Sequence, residues 1–249
     1  MKLIVLAAGY AVRLQPLTLN MPKSLLAVGN KTIIDRILGK VSALKNSTAT
    51  IYIVTNDKFF KNFSNWLKKS RYKDKVTLVN DGSTSNENRL GAIKDMAFVI
   101  KAESVDDDLL VIAGDNLFDF ELDEFLKFAR AKSEGVSIAL YDVRSLDLAK
   151  NFGVVRVDEK NKVVDFEEKP EKPKSTLIST GIYYFPKNKL SFIKEYVKIQ
   201  NKLDAPGYYI GWLSKIDSVY GYAFLEDWYD IGNIESYKKA DKEYSEKEK

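Results

Sequence analysis

The sequence predicts an α/β protein built on a doubly wound, mostly parallel sheet, with a mixed or antiparallel extension in its second half. Two observations carry this expectation. Through the first half, short β-branched runs alternate with segments of helical apolar spacing, the pattern of sequential β–α units. Beyond about residue 135 the strand-like runs crowd together and are joined by polar turns, as in an antiparallel extension that closes over the sheet's ligand edge.

Residues 3–6, 51–54, 76–79 and 109–113 read as buried parallel strands. Between the second and third, Phe59, Phe60, Phe63, Trp66 and Leu67 recur at helical spacing, which reads as a core-facing helix side, not a binding platform. Residues 90–102 read as a further helix. In the second half, 136–141, 153–157, 163–167, 179–185 and 219–224 read as strands, and 190–196 and 210–215 as helices. A last helix from residue 233 grades into a charged end over 242–249, expected to fray. No internal repeat or low-complexity linker interrupts the 249 residues, so one continuous domain is expected.

Composition narrows the chemistry. The chain has no Cys, which removes disulfides, thiolate metal sites and thiol nucleophiles. It has no His, which removes serine–histidine catalysis, imidazole bases and imidazole metal sites. Carboxylates, Lys, Arg and hydroxyls remain, with hard metals such as Mg²⁺ that prefer oxygen ligands. Phosphoryl-type transfer suits that inventory, because positioning and charge neutralisation do most of the work. A net charge of +4 with scattered lysines, including Lys68-Lys69 and Lys238-Lys239 on helix surfaces, points to no nucleic-acid partner. No apolar run is long enough to span a bilayer, and Met1-Lys2-Leu3 leads straight into a strand, so a cytoplasmic protein without a membrane partner is expected.

The first twenty-six residues are the most specific. The run Leu3-Ile4-Val5-Leu6 breaks into Ala7-Ala8-Gly9-Tyr10-Ala11-Val12-Arg13-Leu14, then Pro16-Leu17-Thr18, then Pro22-Lys23-Ser24-Leu25-Leu26. Small side chains after a buried strand let main-chain N–H groups approach phosphate, and Arg13 and Lys23 follow as fixed positive charges. Cations facing solvent are the bland alternative; strand, small-residue loop and two spaced cations together favour phosphate.

Further on, Gly114-Asp115-Asn116 follows a buried strand at its carboxyl end, the edge where open α/β sheets bind ligands. Asp115 is placed to hold Mg²⁺ there, and a simple turn-capping Asp reads equally well from these residues alone. Asp106-Asp107-Asp108 contains a D-x-D pattern but precedes that strand, at the amino edge, where a solvated strand entry is the better reading.

The opening segment resembles the signature of the sugar-1-phosphate nucleotidylyltransferases, L-A-A-G-x-G-x-R-L-x-P-L-T followed by P-K-x-L-L. Leu6-Ala7-Ala8-Gly9, Arg13-Leu14, Pro16-Leu17-Thr18, Pro22-Lys23 and Leu25-Leu26 match. Ala11 stands where the family usually has its second glycine, and Val12 where Thr is frequent.

The resemblance implies a Rossmann-like, GT-A-type domain over 1–249, with a nucleotide-binding half over about 1–135 and a sugar-binding half over about 136–232. The final helix would occupy 233–249, with no C-terminal β-helix. It also implies transfer of a nucleotidyl group from a nucleoside triphosphate to a sugar 1-phosphate, giving an NDP-sugar and pyrophosphate. Glucose 1-phosphate with dTTP or UTP is the favoured pair. A mannose-1-phosphate guanylyltransferase or a cytidylyltransferase is the alternative within the family. A nucleotide-sugar glycosyltransferase is the alternative from another class. A monomer or small homo-oligomer is expected.

By the same resemblance Leu6, Ala7, Ala8, Gly9, Arg13 and Lys23 would bind the nucleotide, with Asn80, Asn88 and Gly91 near the base. For Asn80 and Asn88, a plain Asx-turn or helix cap explains the residue at least as well. Asp230, in Trp228-Tyr229-Asp230-Ile231-Gly232, resembles the family's late W-x-D-x-G aspartate and would join Asp115 on Mg²⁺; helix capping is its alternative. Phe166-Glu167-Glu168-Lys169-Pro170 resembles the family's E-K-P element. Glu168 would accept hydrogen bonds from sugar hydroxyls and Lys169 would pair with the sugar-linked phosphate, although most such charged strand ends are solvated. Asn116, Gly153 and Thr180 would line the sugar-phosphate pocket, and Gly153 serves a turn equally well. Arg13, Lys23, Asp115 and Lys169 would be the catalytic set.

Overall fold

The computed structural model describes residues 1–44, 50–200 and 204–248. At the centre of the sheet is β1 (Lys2–Leu6), followed by a small hairpin, β2 (Ala27–Val28) and β3 (Lys31–Thr32), and by α1 (Ile33–Ser42). Next come β4 (Ile51–Thr55), α2 (Asp57–Lys69), β5 (Val76–Asn80), α3 (Ala92–Ala102) and β6 (Leu109–Ala113). The chain then adds β7 (Asn116–Phe118), α4 (Leu122–Ala131), β8 (Val136–Asp142), α5 (Leu146–Ala149), β9 (Gly153–Val157), β10 (Val163–Glu168) and β11 (Leu177–Phe185). It finishes with α6 (Leu190–Ile199), α7 (Pro206–Ile216), β12 (Val219–Phe224), β13 (Trp228–Asp230) and α8 (Ile234–Lys247).

Among the described residues the main sheet has nine strands, ordered β10-β9-β11-β6-β1-β4-β5, with β8 on β11 and β12 on β8. The strands β6, β1, β4 and β5 are parallel. From there β11 joins β6 antiparallel, and β8, β9 and β10 continue antiparallel. This is the expected α/β sheet, with its parallel half first and its mixed half second.

Strand alternation sorts the core into two layers. Leu3, Val5, Ile51 and Ile53 face α1, α2, α4 and α8, while Ile4, Tyr52, Val54 and Val111 face α3, α6 and α7. Most of the stripe on α2 is a core face: Phe59 and Phe63 are buried and Trp66 and Leu67 pack against the same core, while Phe60 is half-buried and outside it. Truncating Phe63 to Ala would cost about 3–5 kcal/mol.

Several boundaries differ from expectation. Strand β11 begins at Leu177, two residues early, and α6 runs on to Ile199, three residues late. Helix α3 starts at Ala92, not at 90, because Gly91 takes φ +86°, outside the helical region. Helix α7 starts at Pro206, four residues early, with the proline in the first turn where its missing N–H costs nothing. The charged tail does not fray: α8 runs to Lys247, capped by Asn233 with Ser236. Lys247 Nζ sits 2.7 Å from Asp119 and 2.8 Å from Asp227, and Arg36 lies over the Tyr244 ring and pairs with Glu248 at 2.7 Å. Lys249 lies outside the described residues. No helix among the described residues is long and apolar enough to cross a membrane.

Candidate active site

The carboxyl edge of the parallel strands carries the site. The loop Ala7–Ala11 leaves β1 there and enters a single 3-10 turn over Val12–Leu14. Ala11 adopts φ 47°, ψ 43°, the left-handed conformation that glycine takes without penalty. Two buried side chains fix the loop's carbonyls. Asn56 Nδ2 donates to Ala8 O at 2.8 Å, and Thr18 Oγ1 donates to Ala11 O at 2.8 Å. Thr18 and Asn56 are fully buried.

Beside the loop, β6 ends in Gly114-Asp115. Ser24 Oγ donates to Gly114 O at 2.6 Å, and a Cβ on Gly114 would stand 2.7 Å from Leu6 O, so only glycine fits this approach. Strand β13 pairs antiparallel with β7, setting Asp230 opposite Asn116, and Ile231 N donates to Asp115 O at 3.1 Å. Asp115 and Asp230, from distant parts of the chain, thus meet in one cleft. Lys23 Nζ lies 2.6 Å from Asp115 Oδ2 and donates to Ile231 O at 3.0 Å. Burial, and then the charge of Asp115, push the Asp230 carboxyl up to about 6, against the pull of Lys23, Arg13 and Lys169.

The cleft has a volume of about 550 Å³, and its walls include Arg13, Asp115, Glu168, Lys169 and Asp230. Gly153 and Thr180 line it too. Lys169 is held at φ 48°, with its N–H donating to Phe152 O at 3.0 Å. A non-glycine residue in that region is a strained position of the kind found at ligand clamps. Burial raises the Glu168 carboxyl above the usual range, with Lys169 opposing.

Some residues expected to bind ligand make hydrogen bonds within the fold. Asn116 is buried, donates through Nδ2 to Thr180 O and accepts from Trp228 Nε1 at 3.1 Å. Thr180 Oγ1 donates to Ala139 O at 3.0 Å. They build the cleft wall and tie β7 to β11 and β13. Asn80 donates to Asp57 at 2.8 Å and accepts from Gly82 N at 2.9 Å. Asn88 accepts from Thr84 N and Ser85 N and donates to Thr84 Oγ1. Both amides serve local turns, the alternative their sequence allowed. With Gly91, they are absent from the cleft wall, as are Leu6, Ala7, Ala8, Gly9 and Lys23.

Asp106, Asp107 and Asp108 sit at the amino edge. Lys187 pairs with Asp106 at 2.7 Å, the N-terminal ammonium with Asp107 at 2.7 Å, and Tyr184 OH donates to Asp108 at 2.6 Å. That D-x-D is structural.

One element of the cleft gave no signal in the sequence. The start of α7 forms part of the wall, and a Cβ on Gly207 would stand 1.8 Å from Glu168 Oε2. Pro206-Gly207 precedes the helix expected at 210–215, and only the packing of α7 on β10 brings it to Glu168.

Comparison with known proteins agrees with this architecture. The family model described as Nucleotidyl transferase matches residues 2–247. Among curated relatives, the Bifunctional protein GlmU of Methanocaldococcus jannaschii is 32% identical over 237 residues, covering 93% of this chain and 51% of that protein. Its counterpart from Methanococcus aeolicus is 30% identical over 237 residues with the same coverage. The chain thus spans about half the length of these relatives. Among solved structures, a putative glucose-1-phosphate thymidylyltransferase from Bacillus anthracis, in complex with a sucrose, superposes with TM-score 0.83 at 23% identity, covering 98% of this chain and 95% of that one. An apo UDP-glucose pyrophosphorylase superposes with TM-score 0.81 at 20% identity, covering all of both chains. These structures share the fold. By the match over nearly its whole length, this chain belongs to the nucleotidyl transferase family.

Proposed function

We propose that the protein is a sugar-1-phosphate nucleotidylyltransferase, taking a nucleoside triphosphate and a sugar 1-phosphate to an NDP-sugar and pyrophosphate. The observation that carries this reading is the meeting of Asp115 and Asp230 in a cleft faced by Lys23, Arg13 and Lys169. Two close carboxylates, one raised to about 6 by burial and by the other, form a repulsive pair that a cation relieves. Their oxygens suit Mg²⁺, and among the described residues no third acidic side chain completes a closed cage. Phosphate oxygens and water would fill the other positions. Held between Asp115 and Asp230, Mg²⁺ would supply charge neutralisation on the phosphates.

The chain's own residues do the rest. An oxygen of the sugar phosphate attacks the α-phosphorus in line, the bond to the β-phosphate oxygen breaks, and pyrophosphate leaves with the electron pair. Arg13 and Lys23 neutralise the triphosphate and the leaving group. Lys169, clamped in its left-handed backbone, orients the attacking phosphate. Glu168, half-buried in the cleft wall, accepts hydrogen bonds from sugar hydroxyls. Glucose 1-phosphate with dTTP or UTP is the preferred pair, consistent with the names of the structural neighbours.

A pyrophosphate-release screen tests this: dTTP, UTP, CTP, GTP and ATP against glucose, mannose, galactose and glucosamine 1-phosphates, with MgCl2. Release with glucose 1-phosphate and dTTP or UTP is expected. Release with GTP and mannose 1-phosphate, or with CTP, would move the substrate assignment within the family. Silence across the grid would overturn the proposal.

A further inference from the structure

The phosphate-type loop owes its shape to a residue outside it. Asn56 follows β4 directly and has no exposed surface. Its Oδ1 accepts from Phe59 N at 3.0 Å, capping α2, while its Nδ2 donates to Ala8 O at 2.8 Å. One buried amide therefore joins a helix start to the loop. The register of β1 on β4 sets Leu6 against Val54, and Ala7 N donates to Val54 O at 2.9 Å, so Asn56 lies beside Ala8.

Peptide planarity turns that contact into a statement about the next N–H. In a trans peptide C=O and N–H point in opposite directions. Fixing the Ala8 carbonyl toward buried Asn56 turns the Gly9 N–H away from it. Gly9 is exposed, and a Cβ there would meet nothing within 4 Å. Among the described residues the N–H groups of Gly9, Tyr10 and Ala11 have no hydrogen-bond partner. Successive free N–H groups ahead of a left-handed residue form an anion-binding concavity. Thr18 fixes the Ala11 carbonyl at the other end.

We infer that Asn56 is a positioning residue for nucleotide phosphates, acting through the Ala8–Gly9 peptide. The inference rests on the proposed nucleotide reading of this loop. Ser at position 56 keeps a capping oxygen for α2 but loses the donor to Ala8, whereas Asp keeps the cap and sets a carboxylate oxygen against the Ala8 carbonyl.

The test compares wild type with Asn56→Ser and Asn56→Asp. Calorimetry reads the affinity for tripolyphosphate, a probe with no base or sugar, and steady-state kinetics read KM for dTTP or UTP and for glucose 1-phosphate. Thermal melting and circular dichroism check folding. Asn56→Ser is expected to weaken tripolyphosphate binding and raise the triphosphate KM by about tenfold to a hundredfold, with Asn56→Asp weaker still. KM for glucose 1-phosphate should stay within about twofold and α-helical content should be unchanged.

A lowered Tm with unchanged tripolyphosphate affinity would overturn the inference, as would a parallel rise in both KM values. Absence of tripolyphosphate binding by wild type would overturn it as well. Tripolyphosphate binding that depends on Asn56, without turnover in any substrate pair, would sustain the inference and sink the proposed activity.

Discussion

Lys23 Nζ lies 2.6 Å from Asp115 Oδ2, an ion pair that bridges the loop after β1 and the end of β6. Both side chains are partly buried, so the pair is shielded more than a surface bridge. The same ammonium donates to Ile231 O, next to Asp230. Lys23 therefore holds three segments of the site together through one charge.

Lys23→Ala should lower kcat by about 10²–10³, the usual cost of removing one charged contact to a developing anion. The global fold rests on the two sheet cores, so the circular dichroism spectrum should be unchanged. Steady-state pyrophosphate release against wild type checks this, and near-normal turnover would remove Lys23 from the mechanism.

Gly207→Ala should act on the sugar side alone. A methyl group would meet Glu168 Oε2 at 1.8 Å and displace the carboxylate. KM for glucose 1-phosphate is expected to rise at least about tenfold, with KM for the triphosphate unchanged. Equal changes in both constants would mean that Gly207 shapes the whole cleft.

Ala11→Gly should raise stability and leave activity nearly unchanged. Ala11 is held in the left-handed region, which costs an L-residue about 1–2 kcal/mol, partly offset by the greater chain entropy of unfolded glycine. A gain of about 1 kcal/mol in urea unfolding is expected. A loss would mean that the Ala11 methyl contributes packing that outweighs the backbone strain.

Asp95 should make stability fall as pH rises. Asp95, in α3, is 5% exposed; burial foremost, and then the neighbouring Asp81, push its carboxyl up to about 8. Between the ordinary carboxylate range and pH 8 the native state binds more protons than the unfolded chain, so stability decreases through that window and levels off above it. The contribution is at most about 1.4 kcal/mol per pH unit. In denaturant melts from pH 5 to 9, Asp95→Asn should show a flatter profile than wild type; an unchanged slope would assign the pH dependence elsewhere.

Much of this was legible because short-range signals survive into the fold. The buried strand runs and the stripe on α2 are periodic patterns, and the structure keeps them. Asp115 was readable as a strand-end carboxylate, and the sheet topology places it at the crevice. Asn80 and Asn88 are ambiguous in the sequence because one side chain suits a base edge or an Asx-turn, and in the structure both make local turn hydrogen bonds. Gly207 and Asn56 gave no signal, since their roles arise from contacts with Glu168 and Ala8, far away in sequence. The tail read as frayed because its charges look solvated, while Asp119, Asp227 and Arg36 pin it.

The central claim is that Asp115 and Asp230 act together in nucleotidyl transfer. Its most direct measurement is pyrophosphate release by wild type, Asp115→Asn and Asp230→Asn over a MgCl2 titration, with glucose 1-phosphate and dTTP or UTP. Wild type should release pyrophosphate in equal amount to the NDP-sugar formed. Either variant should lose about 10²-fold or more in rate and need more Mg²⁺ for its residual activity. Full activity in Asp230→Asn, with an unaltered Mg²⁺ dependence, would contradict the account.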